Sequence, residues 1–191
     1  MEWIGIDYGS KMAGTTVIAY PESGKVRLTQ SEKKKDADRF LLQWVWAHRP
    51  AAVFLDAPLS LPGVYTQPEQ YTDYFYREGD KAVSAMSPMF LGGLTARAMK
   101  LAAQLRDQGC QIYEAYPGRL ARELELDRSR YKKDKAYMGP AASLLPLGLP
   151  LAALPANWHQ FDALLAYCTG LRYSNGEHLS FGSPQEGQII V

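Results

Sequence analysis

The chain has 191 residues, of which 47% are hydrophobic, and a formal net charge of +1. That is enough apolar material for the core of one domain, and too little charge for a wide basic face that grips nucleic acid by bulk electrostatics, so any such contact must come from local basic clusters. Cys110 and Cys168 form no CxxC pair and no zinc spacing, no basic-then-apolar leader opens the chain, and Pro146, Pro150 and Pro155 break its most apolar stretch; the expectation is a cytoplasmic protein with two buried thiols and no membrane span.

In chain order, Trp3-Ile4-Gly5-Ile6 reads as a buried strand and Tyr8-Gly9-Ser10-Lys11 as a turn. Thr15 to Tyr20 is β-branched and apolar, a second strand. Pro21 to Gly24 marks a hairpin turn, and Lys25 to Thr29 alternates as a third strand should. From Asp36 to His48 the apolar residues Phe40, Leu41, Trp44 and Val45 recur at helical spacing. Ala51 to Leu55 is a short continuous apolar run, the mark of a strand covered on both faces, and it ends in Asp56-Ala57-Pro58.

A long irregular region rich in Pro, Tyr and Gly follows, to Gly93. Connections of that length inside one domain are usually functional. Thr95 to Gln108 reads as a helix stopped by Gly109, and Cys110 to Ala115 as another strand. Pro117 starts a helix through Glu125. Asp127 to Gly139 is polar and basic, and Leu144 to Leu154 is expected to hold a short helix and a loop. Asn157 caps a final helix, Trp158 to Tyr173, and Gln188 to Val191 is a candidate last strand. A meander followed by alternating helices and strands implies a single α/β domain over 1–191, a mixed five-stranded sheet flanked by helices, with an insertion at about 57–93.

Three acids fall at corresponding places. Asp7 ends the first strand, Asp56 ends the fourth, and Asp162 lies near the start of the last helix, three residues after His159 and so on the same helical face. If the first and fourth strands are parallel neighbours, Asp7 and Asp56 sit side by side at the carboxyl edge, where α/β sheets bind ligands. Clustered carboxylates repel unless a cation or a proton neutralises them, and hard oxygen ligands suit Mg²⁺ or Mn²⁺. Two such ions about 4 Å apart can activate water and stabilise a leaving oxygen in phosphodiester cleavage. Glu114, ending the fifth strand, is a fourth ligand, a general base or a partner for Arg119. Each acid alone also reads as a turn residue or cap; their joint placement favours a site.

The Gly5-Ile6-Asp7-Tyr8-Gly9-Ser10-Lys11 pattern has its own logic. Gly9 permits a sharp turn with positive φ, amides there can approach a phosphate, and Lys11 can neutralise it. Lys33 to Lys35 reads as a solvated run. Arg128 to Lys135, with Lys132 between Tyr131 and Tyr137, suits phosphate contact and base stacking or is a plain surface loop. The insertion holds Arg77, Lys81 and, at its far end, Arg97; it follows Asp56 and reads as a substrate-gating element, a packing lid or a dimer contact. Arg77, Lys81, Arg97, Arg119, Lys11 and Lys132 are the candidate substrate-binding cations.

Gly5-Ile6-Asp7-Tyr8-Gly9, Leu55-Asp56-Ala57-Pro58, Glu114-Ala115-Tyr116-Pro117, His159-Gln160-Phe161-Asp162-Ala163, Ser87-Pro88 to Arg97 and Glu186-Gly187-Gln188-Ile189 together resemble an uncharacterised family of predicted nucleases of the RNase H fold. The His159-x-x-Asp162 element is similar to that of RuvC-type junction resolvases. The resemblance implies a nuclease, and by that analogy His159 and Asp162 help hold a second metal while Asp7 bridges both. With the acids above, the leading expectation is a Mg²⁺- or Mn²⁺-dependent phosphodiester hydrolase acting on DNA or RNA, a monomer or homodimer, with Asp7, Asp56 and Asp162 as metal ligands and His159 and Glu114 assisting. Two alternatives stand beside it: a nucleotide or small-phosphate binder of the actin-like ATPase type, suggested by Gly9-Ser10-Lys11, and a non-catalytic interaction module on the same fold.

Overall fold

The computed structural model describes residues 1–191. β1 (Trp3–Asp7), β2 (Val17–Glu22) and β3 (Lys25–Gln30) form the expected antiparallel meander. The β2–β3 turn is tighter than the sequence suggests: only Ser23 and Gly24 lie outside the ladder, both with positive φ (52° and 71°), the geometry whose twist matches two antiparallel strands. α1 (Ala37–His48) starts at Asp36, whose carboxylate accepts hydrogen bonds from the Asp38 and Arg39 amides, and stops at Arg49 in the left-handed region. β4 (Ala52–Asp56) runs parallel to β1.

The insertion is not structureless. It contains a 3₁₀ turn at Gly63–Tyr65 and two short helices, α2 (Glu78–Val83) and α3 (Pro88–Leu91), before α4 (Gly93–Arg106). β5 (Gln111–Ala115) pairs parallel to β4 and leads into α5 (Pro117–Glu123). The next helix, α6, spans Lys135–Ser143, for which no helix was expected, while Leu144–Leu154, expected to be partly helical, is not. Pro146 and Pro150 remove backbone donors there, and Leu151 instead forms a parallel bridge to Val26. α7 (Trp158–Ser174) follows, then β6 (Ser180–Phe181) and β7 (Ile189–Ile190).

The sheet therefore has seven strands, in the order β3-β2-β1-β4-β5-β7-β6, where five were expected. β7 adds parallel to β5 and β6 closes the edge antiparallel to β7. β7 falls within the candidate strand Gln188 to Val191, and β6, two residues long, is too short to show an alternating pattern.

Helices cover both faces. Ile4, Ile6, Val53 and Leu55 pack with Leu41 and Val45 of α1 and Leu101 and Leu105 of α4. On the other face Val17 and Ala19 pack with Phe161, Leu164 and Leu165 of α7, and Phe54 and Ala115 meet Ala166. Residues Phe161 to Gly170 of α7 are all buried, and each large apolar side chain so removed from water contributes about 1.5–3 kcal/mol. Two glycines allow this helix to lie directly on β1. A Cβ on Gly5 would fall 2.1 Å from the Tyr167 backbone nitrogen, and one on Gly170 would fall 2.2 Å from the Trp3 ring. That close approach fixes where the start of α7 meets the end of β1.

Candidate metal centre

Strand alternation decides which acids meet. Ile4 and Ile6 face α1 and α4, so Gly5 and Asp7 face α7; Val53 and Leu55 likewise leave Phe54 and Asp56 on the α7 side. Asp7 and Asp56 are register partners across the parallel β1–β4 ladder, at its carboxyl end. α7 lies over this end and carries Asp162. One carboxylate oxygen from each of Asp7, Asp56 and Asp162 lies within 4.8 Å of the others. Asp7 and Asp162 are buried and Asp56 is half-buried.

Each acid has a different set of neighbours. His159 Nδ1 lies 2.9 Å from Asp7 Oδ2, and that hydrogen bond is the main cause raising the imidazole above its ordinary pKa, against a smaller opposing effect of burial. Asp162 is held at both oxygens: the Tyr131 hydroxyl donates to Oδ1 at 2.6 Å and Lys132 Nζ sits 2.6 Å from Oδ2. Tyr131 packs edge-on to Trp158 and at a tilt to Phe161. Burial pushes the Asp56 carboxyl well above the usual carboxylate range; the charges of Asp7 and Asp162 push it further, and Lys132 offsets part of this. Burial also raises Asp162, against the pull of Lys132. The cluster is thus short of positive charge. Three hard oxygen donors from three separate elements, one of them already facing an ammonium group, fit a divalent cation.

Glu114 does not join this cluster. It registers with Leu55, on the opposite face of the sheet from Asp56. Its expected partner, Arg119, pairs with Glu123 instead, and Glu114 pairs with Arg77 through two bonds of 2.7 and 2.6 Å and accepts from the Leu59 amide. Arg77, expected at a substrate surface, is completely buried. Its remaining bonds go to Asp80 (3.1 and 2.6 Å) and Ser60 (2.7 Å), so the whole guanidinium fork is committed inside the protein. This hub ties the insertion to the sheet edge. Glu186 extends it by accepting from the Gly63 and Glu78 amides, which ties in the C-terminal tail as well.

The other predicted cations are paired with acids, and Lys11 and Arg97 line one pocket together with Asp36 and Asp38. Lys11 pairs with Asp36 and Lys81 with Asp73, both lysines more than half exposed. Arg97 binds Asp38 at 2.6 Å, lies over the Tyr8 ring and donates to the Gly9 carbonyl. Gly9 does not take the expected positive φ. It is needed for space, since a Cβ there would fall 2.1 Å from Thr15 Oγ1, and its amide donates to Thr16 Oγ1.

Sequence reasoning missed Asp38, which accepts from Tyr8 and Arg97 and braces the turn after Asp7. In the sequence it passes for an ordinary acid in a first helical turn. Tyr131 was visible only as an aromatic among basic residues. Beside the acids, Tyr8, Asp56, Met86, Leu91, Leu94 and Tyr116 help line a largely apolar cleft of about 260 Å³.

No protein-family model matches the chain, and no curated protein matches it. Among solved structures, one described as Thermus thermophilus RuvC is similar with a TM-score of 0.46 at 17% identity, over 93% of this chain and 98% of that one. No helix is long and apolar enough to cross a membrane.

Proposed function

We propose that this protein is a Mg²⁺- or Mn²⁺-dependent phosphodiester hydrolase of the RNase H-like type, acting on nucleic acid. The observation that carries the reading is the convergence of Asp7, Asp56 and Asp162, from two parallel strands and a helix, to within 4.8 Å at the carboxyl edge of the sheet. These three would hold the metal. When bound, a divalent ion supplies Lewis-acid stabilisation of the charge that develops on a phosphate. His159, oriented through Nδ1 by Asp7, takes up or delivers a proton at its other ring nitrogen. Lys132, half exposed beside Asp162, is the cation best placed for a substrate phosphate, and Lys11 and Lys81 are further candidates. The apolar cleft beside Asp56 suits an unstacked base or a sugar face. Glu114 and Arg77 support the site by holding the insertion, and Glu114 also lines this cleft. The small-phosphate alternative is weakened because the Gly9 amide is already bonded to Thr16.

The test is cleavage of single-stranded, duplex and branched DNA and RNA with Mg²⁺ or Mn²⁺, by wild type and Asp7→Asn. The expected result is metal-dependent cleavage that the variant loses by a factor of about 100 or more. Equal cleavage by the two proteins sinks the assignment.

A further inference from the structure

Resting on that reading, we propose that Lys132 is a built-in counter-ion of the acidic site, which a divalent cation must displace from Asp162. Both Asp162 oxygens are engaged by consecutive residues of one loop, Tyr131 at Oδ1 and Lys132 at Oδ2, each at 2.6 Å. The ammonium charge 2.6 Å from Oδ2 opposes a second cation at that oxygen. The positive charge of Lys132 is drawn not by one acid but by three, because Asp7 and Asp56 stand with Asp162 in the same cluster.

Two further features show that the lysine is held yet releasable. Its backbone has a positive φ of 62°, a conformation that a side-chain-bearing residue adopts at a cost. Its side chain is half exposed, so an exit into water is open without moving the core. Tyr131 is the fixed half of the pair. Its ring packs against both Trp158 and Phe161, so it keeps its bond to Oδ1 when Lys132 leaves. The flanking loop is braced separately by Arg130 against Asp134 and Tyr137, and by the Tyr137 hydroxyl accepting from the Asp127 amide. Displacement is therefore a side-chain swing, not an unfolding of the loop.

The physical consequence is competition. A site that is open one-tenth of the time binds a ligand about tenfold more weakly than the same site held open. Removing the ammonium group should raise the affinity for the metal, whereas a lysine that serves only to bind substrate phosphate leaves that affinity unchanged.

The experiment is calorimetric titration of the intact protein with Mn²⁺ alone, using wild type, Lys132→Met, Lys132→Arg and Asp7→Asn, with the melting temperature of each recorded in chelator. Lys132→Met should bind Mn²⁺ about tenfold more tightly than wild type while melting lower without metal, and Lys132→Arg, which keeps the charge, should stay near wild type. Equal or weaker Mn²⁺ binding by Lys132→Met overturns the counter-ion role and leaves the metal centre standing. Absence of Mn²⁺ binding in both wild type and Lys132→Met, or binding that Asp7→Asn does not reduce, overturns the metal centre and the counter-ion role with it.

Discussion

Replacing Asp56 by Asn should stabilise the metal-free protein and cut its response to metal to less than a third, two effects of opposite sign from one atom exchange. Asp56 stands within 4.8 Å of both Asp7 and Asp162. Two like charges at that separation repel by about 3.5 kcal/mol at an effective dielectric constant near 20. Proton uptake limits the penalty: a carboxyl that remains neutral at pH 7 costs at most about 4 kcal/mol relative to its unfolded value near 3.9. Lys132 and the partial exposure of Asp56 reduce it further. The sign follows from the direction of the shift. Because burial and its neighbours raise Asp56, its ionisation costs no stability below about pH 4, and the cost grows as pH rises toward the raised folded value.

At pH 7.5 the net gain expected for Asp56→Asn is about 1–2 kcal/mol, roughly 2–8 °C in melting temperature for a domain of this size. With Mn²⁺ at about 100 times its dissociation constant, wild type should gain about 2.7 kcal/mol. Asp56→Asn should gain less than a third of that. The assay is differential scanning calorimetry in chelator and in Mn²⁺, at pH 5 and 7.5, with the advantage of the variant in chelator smaller at pH 5. A lower melting temperature for Asp56→Asn in chelator, or a Mn²⁺ response as large as that of wild type, refutes the idea that these acids form one electrostatically strained cation site.

Arg77→Met leaves Glu114 and Asp80 buried without their counter-charge and should cost about 3–5 kcal/mol in urea unfolding, with the insertion becoming the first region cut by limited proteolysis. A loss below about 1 kcal/mol would show that the hub does not hold the insertion. Asp38→Asn should cost about 2 kcal/mol at neutral pH through the lost charged hydrogen bonds to Arg97 and Tyr8. Burial alone would raise Asp38, but those bonds and the Arg97 charge outweigh it and hold its pKa low. Its contribution is therefore present above about pH 4 and lost as pH falls through the lower folded value, so the gap between variant and wild type must close in acid; a gap that is the same at pH 3 and pH 7 contradicts the assignment.

Local chemistry alone determined much of this molecule. Alternation and turn residues marked the meander, helical spacing marked α1, the Gly109 stop and the Asn157 cap marked α4 and α7, and the continuous apolar run of β4 marked a strand covered on both sides. Asp7, Asp56 and Asp162 were visible because each ends or begins an element whose type is set by its neighbours in the chain. Whether they meet was a tertiary question, decided by the one-to-one register of Asp7 with Asp56 and by the bare surface of Gly5, which lets α7 settle onto β1. The same strand parity sent Glu114 to the other face, although in sequence it ends its strand much as Asp56 does. Arg77 and Lys132 show the limit most plainly. Both are cations in polar segments, yet one is sealed inside the fold between two acids and the other stands half in water against the acidic cluster. Burial and charge pairing depend on residues far away in the chain, so no local pattern separates the two; only the folded structure does.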